Sequence, residues 1–533
     1  MKKQIQTYHW MKKAALLLGA LLVTLAVIPV AASSYAPMMA GNGGYTTSAA
    51  FTVGETIDGY QPIGILDGTA AYNLDENTVR VLVNHEAGPN VGYAYQLASG
   101  AEMSGARISY MDFDKNSREI MTAGLAFSAV YDRNGQLVTN ASQINEIAGN
   151  STDGFSRFCS AQGYAAGQYG FVDNIYFTGE ETSASSGHPH GGSIWALDVD
   201  SGELWAVPAM GRGAWENVTA VNSGSRNHVA ILLGDDSAGA PLYLYVGTKN
   251  ALGDGSFLDR NGLAAGNLFV WRSNVRGQVS PETFNTTGSI TAGHFIPVQV
   301  RNGRMADEAG YDAAGYLDDT TLRQAASDKG AFAFSRPEDL HTNPDNDQQV
   351  AMASTGRGQL FPSDNWGTIY QIDLRIRAAQ YTKAGLGSTA VLTILHDGDD
   401  YGDIGIRSAD NLVWASDGNI YVQEDRSTSP GSLFGSASGR EASIWQLNPH
   451  TFAFEQNAEM DRTAVAPTGS TDSAIGDIGN WESSGILDVT NLFPTADGEL
   501  LFIGTVQAHS VRDGIIADNN LAEGGQLLLI SHR

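Results

Sequence analysis

A short strand-like unit recurs along the chain, and this repetition constrains the fold more than any other feature of the sequence. Each copy has a polar turn, then β-prone residues, then a polar or acidic end, as expected of a strand bounded by turns. The copies are residues 76–86 (ENTVRVLVNHE), 173–181 (DNIYFTGEE), 226–236 (RNHVAILLGDD), 347–356 (DQQVAMASTG), 417–425 (DGNIYVQED) and 497–507 (DGELLFIGTVQ). Repetition of one supersecondary unit at intervals of tens of residues indicates a β-propeller or a related array.

A second strand type, with mixed aromatic and aliphatic residues, follows several of these copies. It is found at residues 193–198 (SIWALD), 242–246 (LYLYV), 368–373 (TIYQID), 443–448 (SIWQLN) and 526–530 (QLLLI). We predict an all-β propeller with six blades and a central metal-lined channel. The alternative is a β-sandwich of unrelated strands. The propeller is expected to span residues 55–533 as one domain, with insertions near 101–150, 250–330 and 460–480, after a linker at 33–54.

The N-terminus has the pattern of a signal peptide. Lys12 and Lys13 precede an apolar run at residues 14–30, and Val30 and Ala32 are small residues placed for cleavage after Ala32. We expect residues 1–32 to be removed and the mature chain to be periplasmic or extracellular, with no stable membrane insertion. Because the apolar run is close to the minimum length of a membrane span, a retained anchor is the alternative.

The charge balance is strongly acidic and excludes some classes of partner. The chain has 31 Lys and Arg against 58 Asp and Glu, a net charge of −27. Such a surface repels nucleic acids and anionic membranes, so neither is an expected partner. The same charge suits the binding of cations.

Acidic residues stand at the ends of the first strand type. Repeated blades place equivalent positions around one axis, so these carboxylates are expected to converge at one mouth of the channel. Like charges held together are unfavourable unless cations neutralise them. We therefore predict a site for several metal ions with oxygen-rich ligation. The residues concerned are Glu86, Glu180, Glu181, Asp235, Asp236, Glu424 and Asp425.

The single cysteine of the chain, Cys159, occupies a corresponding position ahead of a strand. In other copies this position holds Glu216, Glu338, Asp410 or Asn411, and Glu482. Carboxylates suit Ca²⁺, whereas a thiolate favours iron, zinc or copper. The pattern predicts a transition metal flanked by calcium; an inert buried cysteine is the alternative.

These motifs resemble, in order and spacing, those of the PhoX family of alkaline phosphatases. The resemblance extends over about residues 55–510 and rests on Asn84-His85-Glu86, Phe158-Cys159-Ser160-Ala161, Gly179-Glu180-Glu181, Trp215-Glu216, Gly234-Asp235-Asp236, Arg336-Pro337-Glu338, Ala409-Asp410-Asn411-Leu412, Glu424-Asp425, Glu482 and Gln507. It implies a six-bladed propeller with iron (Fe³⁺) and calcium (Ca²⁺) in the channel, Cys and Glu ligands to iron, and hydrolysis of small-molecule phosphate monoesters.

The resemblance also suggests a role for each candidate residue. Expected transition-metal ligands are Cys159, Glu181, Glu216 and Glu338. Expected calcium ligands are Glu180, Asp236, Asp410, Asn411, Glu424 and Glu482. Arg336 is expected to clamp the phosphate, which a planar guanidinium can do through two hydrogen bonds; a salt bridge to Glu338 or Asp339 is the alternative.

Two other functions fit the same sequence. One is a calcium-dependent lactonase or phosphotriesterase-like propeller hydrolase, and the other is a calcium-stabilised binding protein without activity. The cysteine discriminates between them and the phosphatase, because a site for calcium alone has no use for a thiolate.

Overall fold

A computed structural model describes residues 33–144, 154–183, 192–379 and 383–533. The signal peptide predicted at residues 1–32 lies outside this part of the chain. Within the described ranges, no helix is both long enough and apolar enough to cross a membrane. The described residues are mostly short strands joined by turns, so the predicted all-β class is confirmed.

The strands and helices follow one another as short elements. The first half of the chain contains β1 (Met39–Gly41), β2 (Tyr45–Thr52), β3 (Leu66–Asn73), β4 (Thr78–His85), β5 (Tyr95–Gln96), β6 (Glu102–Gly105), β7 (Arg107–Asp114), β8 (Ile120–Leu125), β9 (Ala129–Tyr131), β10 (Gly154–Phe155), β11 (Phe158–Tyr164), β12 (Ile175–Glu180), β13 (Ile194–Asp198), β14 (Glu203–Ala206), β15 (Trp215–Val221), β16 (His228–Asp235), β17 (Tyr243–Thr248) and α1 (Phe257–Arg260). The second half contains β18 (Gly266–Ser273), β19 (Ile290–Val298), α2 (Asp319–Ser327), β20 (Pro337–Asn343), β21 (Asn346–Ser354), β22 (Thr368–Arg375), β23 (Thr389–Asp397), β24 (Ala409–Trp414), β25 (Ile420–Glu424), β26 (Ser443–Leu447), β27 (Phe454–Met460), β28 (Glu482–Asp488), β29 (Leu500–Ala508), α3 (Ile515–Asp518) and β30 (Gly524–His532).

Most strands belong to antiparallel meanders in which neighbours in sequence are neighbours in the sheet. The strand orders are β3-β4-β7-β8, β11-β12-β13-β14-β9, β28-β29-β30-β2 and β24-β25-β26-β27-β1. A nine-stranded sheet contains the meanders β15-β16-β17-β18 and β20-β21-β22-β23, which are joined because β19 pairs with both β18 and β23. The repeated strands of the sequence are the second and third strands of these meanders.

The first strands of the meanders form a closed ring. Contacts run from β3 to β11, β15, β20, β24 and β28, and from β28 back to β3. A ring of meanders around one axis is a propeller-like fold, as predicted. The count of six blades stays a prediction, because the nine-stranded sheet runs through two of the meanders.

The structure corrects the predicted boundaries within the domain. Residues 33–54 do not form a linker, since β2 pairs with the C-terminal β30 and β1 pairs with β27. The expected insertions at 101–150 and 250–330 contain β7, β8 and β18, which are strands of the meanders. β7 and β18 carry aromatic residues as the recognised copies do, so the sequence held a signal for these two strands, whereas β8 has no aromatic residue.

Apolar cores fill the spaces between neighbouring meanders. One core combines Phe51 and Leu527 with Val83 and Phe113, and so joins the sheet of β2, β28, β29 and β30 to the sheet of β3, β4, β7 and β8. Burial of a phenylalanine side chain stabilises a fold by about 1.5–3 kcal/mol. These cores fix the angular positions of the meanders and therefore the geometry of the channel.

Candidate metal centre

Six side chains of the ring strands point toward one another. In β3, β11, β15, β20 and β24 the side chain belongs to the second residue of the strand, and in β28 it belongs to the first. All are buried, and all but Cys159 carry a carboxyl group. The set is Asp67, Cys159, Glu216, Glu338, Asp410 and Glu482. The correspondence that the sequence suggested for Cys159 therefore holds in three dimensions.

A shared distortion of the ring strands places these side chains. In β3, β11, β15, β20 and β24, the pairing register with the next strand shifts between the first and the fourth residue. Such an irregularity turns a side chain out of the regular alternation of a strand. In β3, Gly68 allows the backbone to approach β11, because a Cβ atom there would lie 2.3 Å from the amide nitrogen of Ala161.

The acidic ends of the second strands divide into two sets with opposite orientations. In the pairs Glu180-Glu181, Asp235-Asp236 and Glu424-Asp425, the first residue ends the strand and the second follows it. Because consecutive side chains of an extended chain point to opposite sides, only one member of each pair can face the channel. Glu181, Asp236 and Asp425 face it, together with Glu86, which follows β4.

The first residues of these pairs instead hold the sheets together. The carboxylate of Glu180 accepts hydrogen bonds from the backbone N–H of Ser156 and from Nε1 of Trp195, both at 3.2 Å. Glu424 forms a fully buried ion pair with Arg407, with Nη2 to Oε2 at 2.7 Å. The expectation that Glu180 and Glu424 bind calcium is thereby corrected, because these contacts occupy their carboxylates away from the channel.

Asp235 behaves like Glu180 and Glu424. Arg323 in α2 donates to both of its oxygens, at 2.8 and 2.6 Å, and the backbone N–H of Ala214 donates at 3.0 Å. The convergence predicted for all strand-end acids is therefore found for the residues after the strands but not for those that end them.

Among the described residues, four groups of three side chains could each hold a metal ion, since the ligand atoms of each lie within 4.8 Å of one another. The groups share members, so together they form one continuous centre. They are Asp67-Cys159-Glu216, Glu86-Cys159-Glu181, Asp67-Glu86-Glu482 and Glu216-Glu338-Asp410. Asn411, also an expected ligand, donates from its side-chain amide to Oδ1 of Asp67 at 3.3 Å.

The electrostatics of the centre favour cations. Burial, together with neighbouring carboxylates, raises the pKa of Glu216 and of Asp410 well above the ordinary value. Burial and the charge of Asp425 raise the pKa of Glu482 to about 8. Burial and the charge of Glu181 raise the pKa of the Cys159 thiol in the same way. Positive charge at the centre would return all of these groups to their ionised forms.

Two arginines neutralise part of this charge. Arg157 pairs with Glu86 at 2.7 Å and also with Glu181. Arg336 donates from Nε and Nη2 to the two oxygens of Asp236, both at 2.6 Å. Burial alone would raise the pKa of Asp236, but the Arg336 guanidinium lowers it to about 2. Arg336 also forms an ion pair with Glu338 at 3.2 Å, which is one of the two salt bridges that the sequence offered as an alternative role for this arginine. The other, to Asp339, is not formed.

Residues next to the ligand candidates in the ring strands hold them in place. Asp339 accepts hydrogen bonds from Oγ of Ser160 at 3.0 Å, from the Asn217 side-chain amide, and from the backbone N–H of Leu412 at 2.9 Å. These three residues lie one or two positions after Cys159, Glu216 and Asp410. Asp339 thus connects three ring strands to its own strand directly beside the centre.

His509 supports the other side of the centre. Its Nε2 atom lies 3.3 Å from Glu482, and its Nδ1 atom lies 2.8 Å from Glu523. Burial would lower the pKa of His509, but the two carboxylates raise it well above its ordinary value. The imidazole therefore orients the Glu482 carboxylate, as outer partners of metal ligands commonly do.

Sequence reasoning missed Asp67, Arg157 and His509. Asp67 had a signal, because Leu66-Asp67 precedes the first repeated strand just as Phe158-Cys159 precedes the second. Arg157 also had one, because it stands two residues ahead of Cys159 as Arg336 stands two residues ahead of Glu338. His509 had none, since it follows the last repeated strand without an equivalent in the other copies.

A cavity of about 780 Å³ opens to solvent beside the centre. Asp236 and Arg336 line this cavity, and Arg336 lies 3.2 Å from the candidate ligand Glu338. A second opening of about 380 Å³ reaches Glu86 and Glu482. Small molecules can therefore approach the metal-binding groups from outside the propeller.

The donor set of this centre fits metal ions. Carboxylates outnumber the two arginines beside them, and one of them, Asp67, has a pKa raised well above its ordinary value by burial and by Glu86 and Glu482. Carboxylate and amide oxygens suit Ca²⁺, and the Cys159 thiolate suits a softer transition metal.

Comparisons with known proteins agree with this arrangement. The family described as alkaline phosphatase PhoX matches residues 193–472, slightly more than half of the chain. The solved structure of Pseudomonas fluorescens PhoX, in complex with vanadate, a transition-state analogue, has a TM-score of 0.61 at 15% sequence identity, covering 95% of this chain and 97% of that one. This match supports the same fold.

Other matches are weaker. A GH43 β-1,3-galactosidase, BT3683, covers 90% of this chain and 94% of its own at 10% identity, with a TM-score of 0.33. The GH43 protein YxiA from Bacillus licheniformis covers 94% of this chain and 99% of its own at 8% identity, with a TM-score of 0.24. No curated protein sequence matches the chain significantly. With the family match across residues that include Glu216, Arg336, Glu338 and Asp410, the chain belongs to the PhoX family and is a metal-dependent alkaline phosphatase.

Proposed function

We propose that this protein is an exported phosphatase that hydrolyses phosphate monoesters with a centre of iron and calcium ions. The observation that carries the proposal is the ring of side chains around Cys159, in which one thiol shares overlapping ligand groups with several buried carboxylates. A calcium-dependent lactonase would not need that thiol, so its position at the junction of two groups favours the phosphatase.

The ligand groups suggest how metals would be divided among these residues. Cys159 would hold iron with Glu181 and Glu86 on one side and with Asp67 and Glu216 on the other. The groups without sulfur, Asp67-Glu86-Glu482 and Glu216-Glu338-Asp410, would hold calcium. When bound, such ions polarise phosphoryl oxygens and lower the pKa of a coordinated water molecule.

Arg336 would bind the phosphoryl group of the substrate. Its contacts with Asp236 and Glu338 use Nε and Nη2 and fix the plane of the guanidinium. The N–H groups of Nη1 are then left to donate to a phosphoryl oxygen in the cavity. The vanadate bound to the related Pseudomonas protein supports a site that recognises a phosphoryl group in its transition state.

Metal analysis and turnover on the same preparation test this function. We expect purified protein to contain iron and calcium and to release phosphate from p-nitrophenyl phosphate faster than from bis(p-nitrophenyl) phosphate. Removal of metal with a chelator should abolish turnover, and Fe³⁺ with Ca²⁺ should restore it. Faster hydrolysis of the diester, or turnover with calcium alone, would contradict the proposal.

The proposal includes export to the periplasm or the medium. Its support is the basic and apolar pattern of residues 1–32 with small residues before the expected cleavage site. N-terminal sequencing of the protein recovered from cell fractions is the test. A mature chain that begins at Ser33 in the exported fraction is expected; an uncleaved chain in the membrane fraction would favour the retained anchor.

A further inference from the structure

The wall of the 780 Å³ cavity carries an excess of positive charge, although the chain as a whole is acidic. Asp236 and Asp477 are its acidic lining residues, and Arg336, Arg357 and Arg426 are its basic ones. The cavity is therefore locally attractive to anions in a chain with a net charge of −27.

The three arginines differ in how they are neutralised. Arg336 pairs with Asp236 and Glu338, and Arg426 pairs with Asp477. No carboxylate of the described residues forms an ion pair with Arg357. Its observed side-chain contact is a hydrogen bond from Nη1 to Oγ1 of Thr428, a neutral acceptor. Arg357 thus retains its full charge and most of its N–H donors for a ligand.

Arg357 is held firmly between two loops that border the centre. Its backbone N–H donates to the carbonyl of Asp364 at 2.9 Å, and the next N–H, of Gly358, donates to Oγ of Ser429 at 2.9 Å. Two residues earlier, Thr355 donates from Oγ1 to Glu338, a candidate metal ligand. The distance between Arg357 and the centre is therefore set by a short, hydrogen-bonded stretch of chain.

We propose that Arg357 forms a second anion subsite, which makes phosphate monoesters with a further phosphate or carboxylate on the leaving group preferred substrates. This rests on the proposed function, since the reacting phosphoryl group is taken to lie at Arg336. The leaving group then extends into the cavity toward Arg357, where its anionic group accepts hydrogen bonds from the guanidinium. Thr428 and Ser432, which line the same wall, add hydroxyl donors.

A matched pair of substrates tests the subsite. 3-Phosphoglycerate and glycerol 3-phosphate have similar size and one phosphate each, but only the former carries a carboxylate. Loss of one charge-assisted hydrogen bond corresponds to a change of about tenfold or more in affinity. Arg357→Gln should therefore raise KM for 3-phosphoglycerate about tenfold and change KM for glycerol 3-phosphate by no more than about twofold.

Two further variants make the test specific. Arg357→Lys keeps the charge and should retain part of the preference for 3-phosphoglycerate. Arg375→Gln removes an exposed arginine from the end of β22 and should alter KM for neither substrate. The preference of the wild-type enzyme should also weaken at high salt, because the cavity is open to solvent.

The outcomes separate the subsite from the phosphatase function. Equal effects of Arg357→Gln on both substrates, or none on 3-phosphoglycerate, would overturn the subsite while the phosphatase function stands. If the metal-loaded enzyme hydrolyses neither compound, the phosphatase function fails. Calorimetric binding of 3-phosphoglycerate then decides the subsite: binding that Arg357→Gln weakens supports it, and binding that Arg357→Gln leaves unchanged overturns it.

Discussion

Cys159 and Glu181 face each other at the centre of the ring, with Sγ donating to Oε2 over 3.0 Å. Burial and the charge of Glu181 both raise the pKa of the thiol, so ionised Cys159 is unfavourable in this arrangement without a cation. A bound metal ion reverses this, because it stabilises the thiolate and the carboxylate together.

Cys159→Ser should remove the transition metal and leave the fold intact. The hydroxyl of serine has nearly the same shape as the thiol but does not ionise, so a soft ligand is lost without a cavity. Since loss of even an outer partner lowers metal affinity about 10–100-fold, we expect the affinity for the transition metal to fall at least tenfold, and the metal content of protein dialysed against metal-free buffer to fall with it. Elemental analysis measures it, with the circular dichroism spectrum as the check on folding. Unchanged iron and activity would show that Cys159 only packs.

Glu181 and Glu180 are neighbours whose side chains point to opposite sides of one strand end, so the same substitution to Gln can be compared at both. Glu181→Gln should lower metal affinity and phosphatase activity by at least about tenfold, and so lower the metal content of the purified protein, because Glu181 shares a ligand group with Cys159. Glu180→Gln should leave metal content unchanged, because its carboxylate accepts from Trp195 and Ser156. Metal analysis of both variants at a temperature well below unfolding is the measurement. Equal metal loss in the two would mean that the orientation of these side chains does not decide ligation.

Much of this centre can be predicted from the sequence because the fold is repetitive. Once the strands are recognised as copies, Cys159 aligns with Glu216, Glu338 and Glu482 without any knowledge of the structure. Asp67 obeys the same rule, but it lies in β3, ahead of the first strand in which the repeat is recognisable.

Other features cannot be predicted because they depend on tertiary partners. The pairing between strands decides which acid of each strand-end pair faces the channel. The residue that ends the second strand pairs with the first residue of the ring strand, which is Phe158, Trp215 or Ala409. Arg323 and Arg407 neutralise the outward acids from positions 88 and 17 residues away in sequence. Neither spacing recurs from one meander to the next.

Two neighbouring acids each accept two hydrogen bonds from an arginine. Arg336 donates to Asp236, and Arg323 donates to Asp235. Arg336→Lys keeps the charge but removes the planar fork, so we expect kcat/KM for p-nitrophenyl phosphate to fall about 100-fold, as for loss of a preorganised donor. Arg323→Lys makes the same change outside the cavity and should reduce thermal stability but not kcat/KM. Steady-state kinetics with a thermal melt distinguish the two effects. Loss of activity in both variants, in proportion to their stability, would contradict a substrate-binding role for Arg336.

Asp364 predicts a pH dependence of stability that is separate from the metal centre. It is fully buried and accepts hydrogen bonds from Oγ of Ser335 at 2.5 Å and from Oγ1 of Thr368 at 3.1 Å. Burial, with smaller contributions from Asp399 and Asp397, raises its pKa to about 7. In the unfolded chain its pKa is about 3.9. Between these two values the folded state binds one proton more than the unfolded state.

The stability that Asp364 contributes is therefore present at low pH and is lost as the pH rises through about 7. The slope is about 1.4 kcal/mol per pH unit, so the wild type should lose about 3 kcal/mol relative to Asp364→Asn between pH 5 and pH 8. Asparagine keeps the size of the side chain and an acceptor oxygen but does not titrate. Denaturant unfolding of both proteins at the two pH values, with saturating metal, measures the difference. A constant difference across this range would show that Asp364 is ionised in the folded protein throughout.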